Sequence, residues 1–177
     1  VDGTVRGNLD SLSAVGNLDA HGIWMRGDRA NSVTGGFEYA NLRGAVSGRL
    51  SVRADTAVVA NVGISRGSVA FRALDRQHGE FRVEVASTSG PTAVVQGAGA
   101  INGDTTSVRL DTIALAVHDH RLLLERPATI TVQPDGIAFD TIRVRDVNAG
   151  LLTVAGTVPV DAPITLMIRA DSVELGD

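Results

Sequence analysis

Four histidines and twenty acidic residues are the natural starting point for chemistry in this 177-residue chain. His118-Asp119-His120 is the densest such cluster. On an extended strand, residues two apart share a face, so the two imidazoles would be placed to ligate one metal ion. A third ligand would have to come from elsewhere, and no His-x3-His partner exists. We therefore read the segment as a polar junction between Val117 and Leu122. His21 and His78 stand alone and read as exposed turn residues. Serine nucleophiles need a base and a shaped turn, and no Gly-x-Ser-x-Gly occurs. Paired carboxylates for glycoside hydrolysis would have to be drawn from 15 Asp, nearly all at turn or polar-face positions that Asx turns explain better. The glycine-rich stretch from Gly97 to Gly103 is followed by neither a helix nor a Lys, so it reads as strand rather than phosphate loop. No calcium-loop pattern is present. Nothing in these patterns assembles a catalytic site, and no cofactor or metal is expected.

The elements that would position any site are strands. The polar helix formers Lys, Glu and Gln fill only eight positions, against 23 Val, 14 Thr, 9 Ile and 20 Gly. Branching at Cβ suits a pleated surface, while Asp and Gly suit turns, so a helical bundle or an alternating βα fold is excluded. Zero cysteine removes disulfides and thiolate chemistry. A net charge of −4 without any basic stripe argues against nucleic acid. No apolar run reaches the roughly 20 residues of a membrane helix. The chain starts without Met, with alternation already running at Val1 and still running at Val173 and Leu175. We read it as one β domain, residues 1–177, cut from a longer repetitive protein.

Period-two alternation defines the strands. Val1-Gly3-Val5-Gly7-Leu9 opposes Asp2, Thr4, Arg6, Asn8 and Asp10. Leu18-Ala20-Gly22-Trp24 follows, blurred at its end by Ile23 and Met25. Next come Val33-Gly35-Phe37-Tyr39 and Val46-Gly48-Leu50-Val52-Ala54. Val69-Phe71-Ala73, Phe81-Val83-Val85, Val108-Leu110 and Ile113-Leu115-Val117 continue the series. Leu122-Leu124, Ile130-Val132, Ile137-Phe139, Ile142-Val144, Leu152-Val154 and Ile164-Leu166-Ile168-Ala170 complete it. Turn residues recur at Gly35-Gly36, Gly90-Pro91, Asn102-Gly103-Asp104, Pro134-Asp135-Gly136 and Asp146 to Gly150. Ala73 to Glu80 and His118 to Arg126 have some helical content but are short, and read as turns. The simplest topology is a meander of roughly a dozen antiparallel strands.

The apolar face so defined is aliphatic, rich in Gly and Ala, and poor in aromatics, with one Trp and one Tyr in the chain. Two arrangements fit it. It folds onto itself as a closed sandwich or solenoid core, as in a structural or adhesive surface domain. Alternatively it stays open and buries flexible alkyl chains.

The C-terminal third resembles the recurring cassette of the TamB family of AsmA-like bridge proteins. The residues that carry the likeness are His120-Arg-Leu-Leu-Leu-Glu-Arg-Pro127-Ala-Thr-Ile-Thr-Val132, then Gly136-Ile-Ala-Phe-Asp-Thr-Ile-Arg-Val144. Ala149-Gly-Leu-Leu-Thr-Val-Ala-Gly-Thr-Val-Pro159 and Ile164 to Leu175 follow. Val5 to Leu12 and Val15 to Ala20 are similar to the family's Gly-x-[Val/Leu]-x-Gly-x-Leu element. The position before the Arg-Pro-Ala step, often Trp in the family, is Leu here (Leu122 or Leu124). The resemblance implies a β-taco, a long antiparallel meander curled around an apolar groove, in a periplasmic segment of a protein anchored in the inner membrane of a diderm bacterium. It implies transport of phospholipid acyl chains between the two membranes, and a role in outer-membrane protein assembly and secretion with an Omp85-type partner. On that reading the groove would be lined by Val46, Leu50, Val52, Phe71, Val83, Val85, Ile113, Leu115 and Val117. Ile130, Val132, Ile137, Phe139, Ile142, Val144, Leu152, Val154, Ile164, Leu166 and Ile168 would complete the lining.

Overall fold

The computed structural model describes residues 2–7, 12–25, 28–41, 45–59, 61–147 and 150–171. Val1, Asn8, Leu9 and Asp10 at the first expected strand, and Val173 and Leu175 at the last, lie outside the described residues. The described chain is all β, with 13 antiparallel strands in a single sheet and no helix. Sequence order is sheet order, except that β9 lies off the main path beside β8 and β11. The expectation of an antiparallel meander is met. Two compact units divide the chain, Val1–Ala93 and Val94–Asp177.

The first unit holds β1 (Asp2–Arg6), β2 (Ser13–Met25), β3 (Asp28–Ala40), β4 (Ser47–Val59), β5 (Val62–Ala73) and β6 (His78–Ser87). Cross-strand partners in an antiparallel sheet project to the same side, so the register sorts residues by face. Gly3 and Val5 oppose Gly16 and Ala14, and Leu18 opposes Gly35. The same row then runs through Phe37↔Leu50↔Phe71↔Phe81 and Gly35↔Val52↔Val69↔Val83. The other side carries Glu38↔Arg49↔Arg72↔Glu80. Arg49 and Arg72 stand directly opposite each other, an unfavourable pairing. A carboxylate on each flank offsets it, with Glu38 2.6 Å from Arg49 and Glu80 3.8 Å from Arg72.

The ladder is interrupted along one row. Pairing passes from His21↔Ser32 to Ile23↔Ala30, skipping Gly22, and from Asp55↔Arg66 to Ala57↔Ile64, skipping Thr56. Both skipped residues have positive φ, +62° at Gly22 and +51° at Thr56. This is the physical reason the alternation blurs at Ile23. Three expectations are corrected in this unit. Gly35 and Gly36 lie inside β3, not in a turn; a Cβ on Gly35 would sit 2.4 Å from the Ser51 carbonyl oxygen, so the residue permits close strand approach. His21 is a strand residue of β2, 3.1 Å from Asp19. His78 opens β6, with Nδ1 2.8 Å from Asp75, so only Leu74 to Gln77, in the middle of the Ala73 to Glu80 segment, form the turn.

β7 (Thr92–Asn102) contains the glycine-rich stretch, which is strand as expected. β8 (Thr105–Val117), β9 (His120–Leu124), β10 (Ala128–Gln133), β11 (Gly136–Asp146), β12 (Leu151–Pro159) and β13 (Thr165–Asp171) complete the chain. β9 and β10 both lie between β8 and β11 and act as one broken strand. Pro127 at the break has no N–H to give the ladder, whereas the Glu125 N–H still donates to Arg143 O at 2.8 Å. His120–Leu124 is thus strand, correcting the turn reading of His118 to Arg126. Ile137-Phe139 and Ile142-Val144 are one strand rather than two. A register shift at Asp140-Thr141 lets Phe139 oppose Gly156 while Ile142 opposes Val154. The extra residue keeps all four apolar side chains on one face across a change of parity.

Buried apolar residues are few among the described residues: Ala57, Ala73, Leu110, Ala128 and Val144. No large side chain is completely buried among the described residues.

Candidate functional site

The candidate site is the apolar side of each unit, built strand by strand from alternating residues. In the first unit, the face spans six strands spaced about 4.8 Å apart, and seven residues at about 3.3 Å each, roughly 550 Å². Within that span the register places no Asp, Glu, Arg or His on it among the described residues, and beyond Gly22 the same side ends at Asp28, opposite Met25. Leu50, Val52, Phe71, Val83 and Val85 of the expected lining all lie there. Val46 falls just before β4 and so outside the paired sheet.

Aromatic rings and glycines interlock on this face. A Cβ on Gly16 would lie 2.5 Å from the Phe37 ring, on Gly48 2.4 Å from the Tyr39 ring, and on Gly79 2.6 Å from the Phe71 ring. Each ring therefore lies over a glycine on a neighbouring strand, so three of the few aromatics cover backbone rather than fill a core. Sequence reasoning missed this arrangement. The trace of it was the pairing of Gly and aromatic residues within the same alternating runs.

In the second unit, the rows are Val108↔Ile130↔Phe139↔Gly156↔Leu166 and Ile142↔Val154↔Ile168, with Val132↔Ile137 beside them. Val144 opposes both Leu124 and Leu152, and Leu115 opposes Leu122. Ile113 and Val117 flank Leu115 at strand spacing in β8. Ile164, 64% exposed, precedes β13 and is not paired in it. The side chains grade outward, from Val144 at 6% exposed to Leu166 at 45% and Ile168 at 63%.

No protein-family model, curated protein or solved structure matches this chain. The site must be read from its own chemistry.

The reactive-looking histidine cluster is split by the fold. His118, with φ +53°, and Asp119 form the turn between β8 and β9, so the two imidazoles do not share one strand face. The segment is the strand junction expected of it. Among the described residues, no three potential metal ligands come together. His120 instead reaches across to Asp146, with Nδ1 2.6 Å from Oδ2, and the Arg121 N–H donates to Oδ1 at 3.3 Å. Asp146 is only 3% exposed. A buried carboxylate is expensive unless hydrogen-bonded, and these contacts supply its partners.

On the opposite side of the same strands, Glu125 receives a hydrogen bond from Arg145 and lies 3.0 Å from Arg143 Nε. The Arg145 hydrogen bond, aided by the nearby Arg143 charge, holds the Glu125 carboxyl below its ordinary value of 4.5 despite some desolvation. This bridge ties β11 to the start of the β9–β10 break. A surface hollow of 580 Å³ is bordered by Glu38, Arg49, Arg72 and Leu74.

Proposed function

We propose that this chain is a lipid-conducting segment of a bacterial inter-membrane bridge, curled as a β-taco, whose apolar groove carries phospholipid acyl chains between the inner and outer membranes. The observation that carries the reading is the aliphatic face that the register assembles in each unit, graded from buried to exposed, with no large side chain completely buried among the described residues. Alkyl chains have no fixed shape and no hydrogen-bonding groups, so they favour a smooth aliphatic surface over a pocket of placed polar groups. An area of several hundred Å² is the size at which an exposed apolar patch calls for a ligand or partner. Passage along such a face makes and breaks no covalent bond. On this reading the protein works in the periplasm as part of a parent anchored in the inner membrane. An Omp85-type outer-membrane partner and a role in outer-membrane protein assembly follow from the same family resemblance.

The test is site-specific photocrosslinking in cells, with the probe at Leu115, Leu152 or Leu166 in the functional parent. Lipid adducts at these positions, and none at Arg49 or Arg53 on the polar side, are expected. Absence of lipid at all three apolar positions while the parent functions would sink the proposal.

A further inference from the structure

The apolar face of the second unit contains one break in its chemistry. Val117 opposes His120, Leu115 opposes Leu122, and Leu122 in turn opposes Asp146. The imidazole and the carboxylate therefore lie on the same side as Leu115, Leu122, Leu124 and Val144. They are the only ionisable residues that the register places there among the described residues.

We propose that the His120–Asp146 pair is the polar recognition point of this face, selecting amphiphiles whose head group donates a hydrogen bond, above all an ammonium. This deepens the acyl-chain reading and rests on it. A carboxylate only accepts hydrogen bonds, so the ring nitrogen that faces Asp146 carries the hydrogen. With Nδ1 so committed, the neutral ring has its lone pair on Nε2. Asp146, at 3% exposed, is also held by the Arg121 N–H, while the His120 side chain is 35% exposed. The buried partner thus fixes the tautomer, and the half-exposed imidazole offers the face an acceptor. The pair has net negative charge when the ring is neutral, which favours a cationic donor and disfavours a carboxylate or phosphate. Leu115, Leu122 and Leu124 beside it would take the first methylenes of the attached chain.

The experiment measures binding of decylammonium, decanoate and decyl phosphate to the full chain at neutral pH, alongside nitrogen-15 NMR of the histidine rings. Decylammonium should bind about tenfold tighter than either anion, the size of one charge-assisted hydrogen bond, and should shift the His120 Nε2 resonance. His120→Asn keeps an N–H donor toward Asp146 and draws the remaining acceptor, its amide oxygen, back from the position of Nε2. It should leave the fold intact, abolish the preference and preserve binding of the chain. Equal binding of all three probes, or a preference that survives His120→Asn, overturns the recognition point and leaves the apolar face as a conduit. Failure of every alkyl probe to bind overturns the acyl-chain reading, and this inference with it.

Discussion

Replacing Leu166 by Arg separates an accessible apolar face from a sealed core. Leu166 is 45% exposed on β13, whereas Leu110, on the apolar side of β8 in the same unit, is 7% exposed. Fully burying a leucine side chain is worth about 1.5–3 kcal/mol, so Leu166, with a little over half of its surface covered, contributes about 1 kcal/mol. An arginine there can lay its methylenes on the sheet and keep its guanidinium in water, so Leu166→Arg should cost no more than that. Leu110→Ala removes a buried side chain for about 2–3 kcal/mol, the low end for a leucine, because a sheet face relaxes more readily than an enclosed core. For a chain of this size, each kcal/mol moves Tm by about 2–4 °C. Thermal unfolding followed by circular dichroism should show a drop of roughly 4–12 °C for Leu110→Ala and no more than about 4 °C for Leu166→Arg. In a closed core the arginine would be a buried unpaired charge, costing about 3–5 kcal/mol. Leu166→Arg as damaging as Leu110→Ala would therefore refute the open-face reasoning. The same variant should also lose lipid crosslinks at Leu152, because a guanidinium in the row repels alkyl chains.

Four further perturbations test the geometry. Gly48→Ala places a methyl 2.5 Å from the Glu38 carbonyl oxygen as well as against the Tyr39 ring, and should cost about 1–3 kcal/mol in urea titration. Gly99→Ala, whose nearest neighbour is 3.9 Å away, should be neutral or slightly stabilising. Asp146→Ala strands the Arg121 N–H and the His120 Nδ1–H and should destabilise by about 2–4 kcal/mol, measured the same way. Glu125 has a folded pKa below its ordinary 4.5, so its bridge stabilises fully above that value and is lost as pH falls through the lower folded value. Glu125→Gln should therefore be less stable than the parent at pH 7, with the gap closing on acidification; a gap unchanged down to strong acid would remove the bridge from the account.

Much of the sheet was legible because one physical rule governs it. Where a strand has one wet and one dry side, residues must alternate, and the runs through Leu50-Val52, Phe81-Val83 and Leu152-Val154 state their faces directly. The reading failed where the backbone breaks that rule without changing composition. Gly22 and Thr56 at positive φ shift the parity of their strands, and nothing distinguishes Thr56 in sequence from any other strand threonine. The register shift at Asp140-Thr141 made one strand resemble two. Gly35-Gly36 resembled a turn because a glycine that lets neighbouring strands come close and a glycine that bends the chain are the same letter.

The His120–Asp146 contact was hidden for a different reason. The two residues are 26 positions apart, and His118 and Asp119 are the partners that local sequence offers to His120. Antiparallel pairing of β9 with β11 brings Asp146 opposite Leu122, while the turn at His118-Asp119 carries those residues off the strand. Burial then makes the pairing obligatory. A carboxylate enclosed among leucine and valine rows cannot be left without donors, and the Arg121 N–H and the His120 ring supply them. The acid that looked like one more turn aspartate is the residue that gives an otherwise aliphatic face its one fixed direction of polarity. A face of alkyl contacts alone could hold a chain equally well in either orientation. On the proposed reading, a single buried anchor at the end of β11 makes the two orientations unequal, which is the least that a surface needs to present one end of an amphiphile before the other.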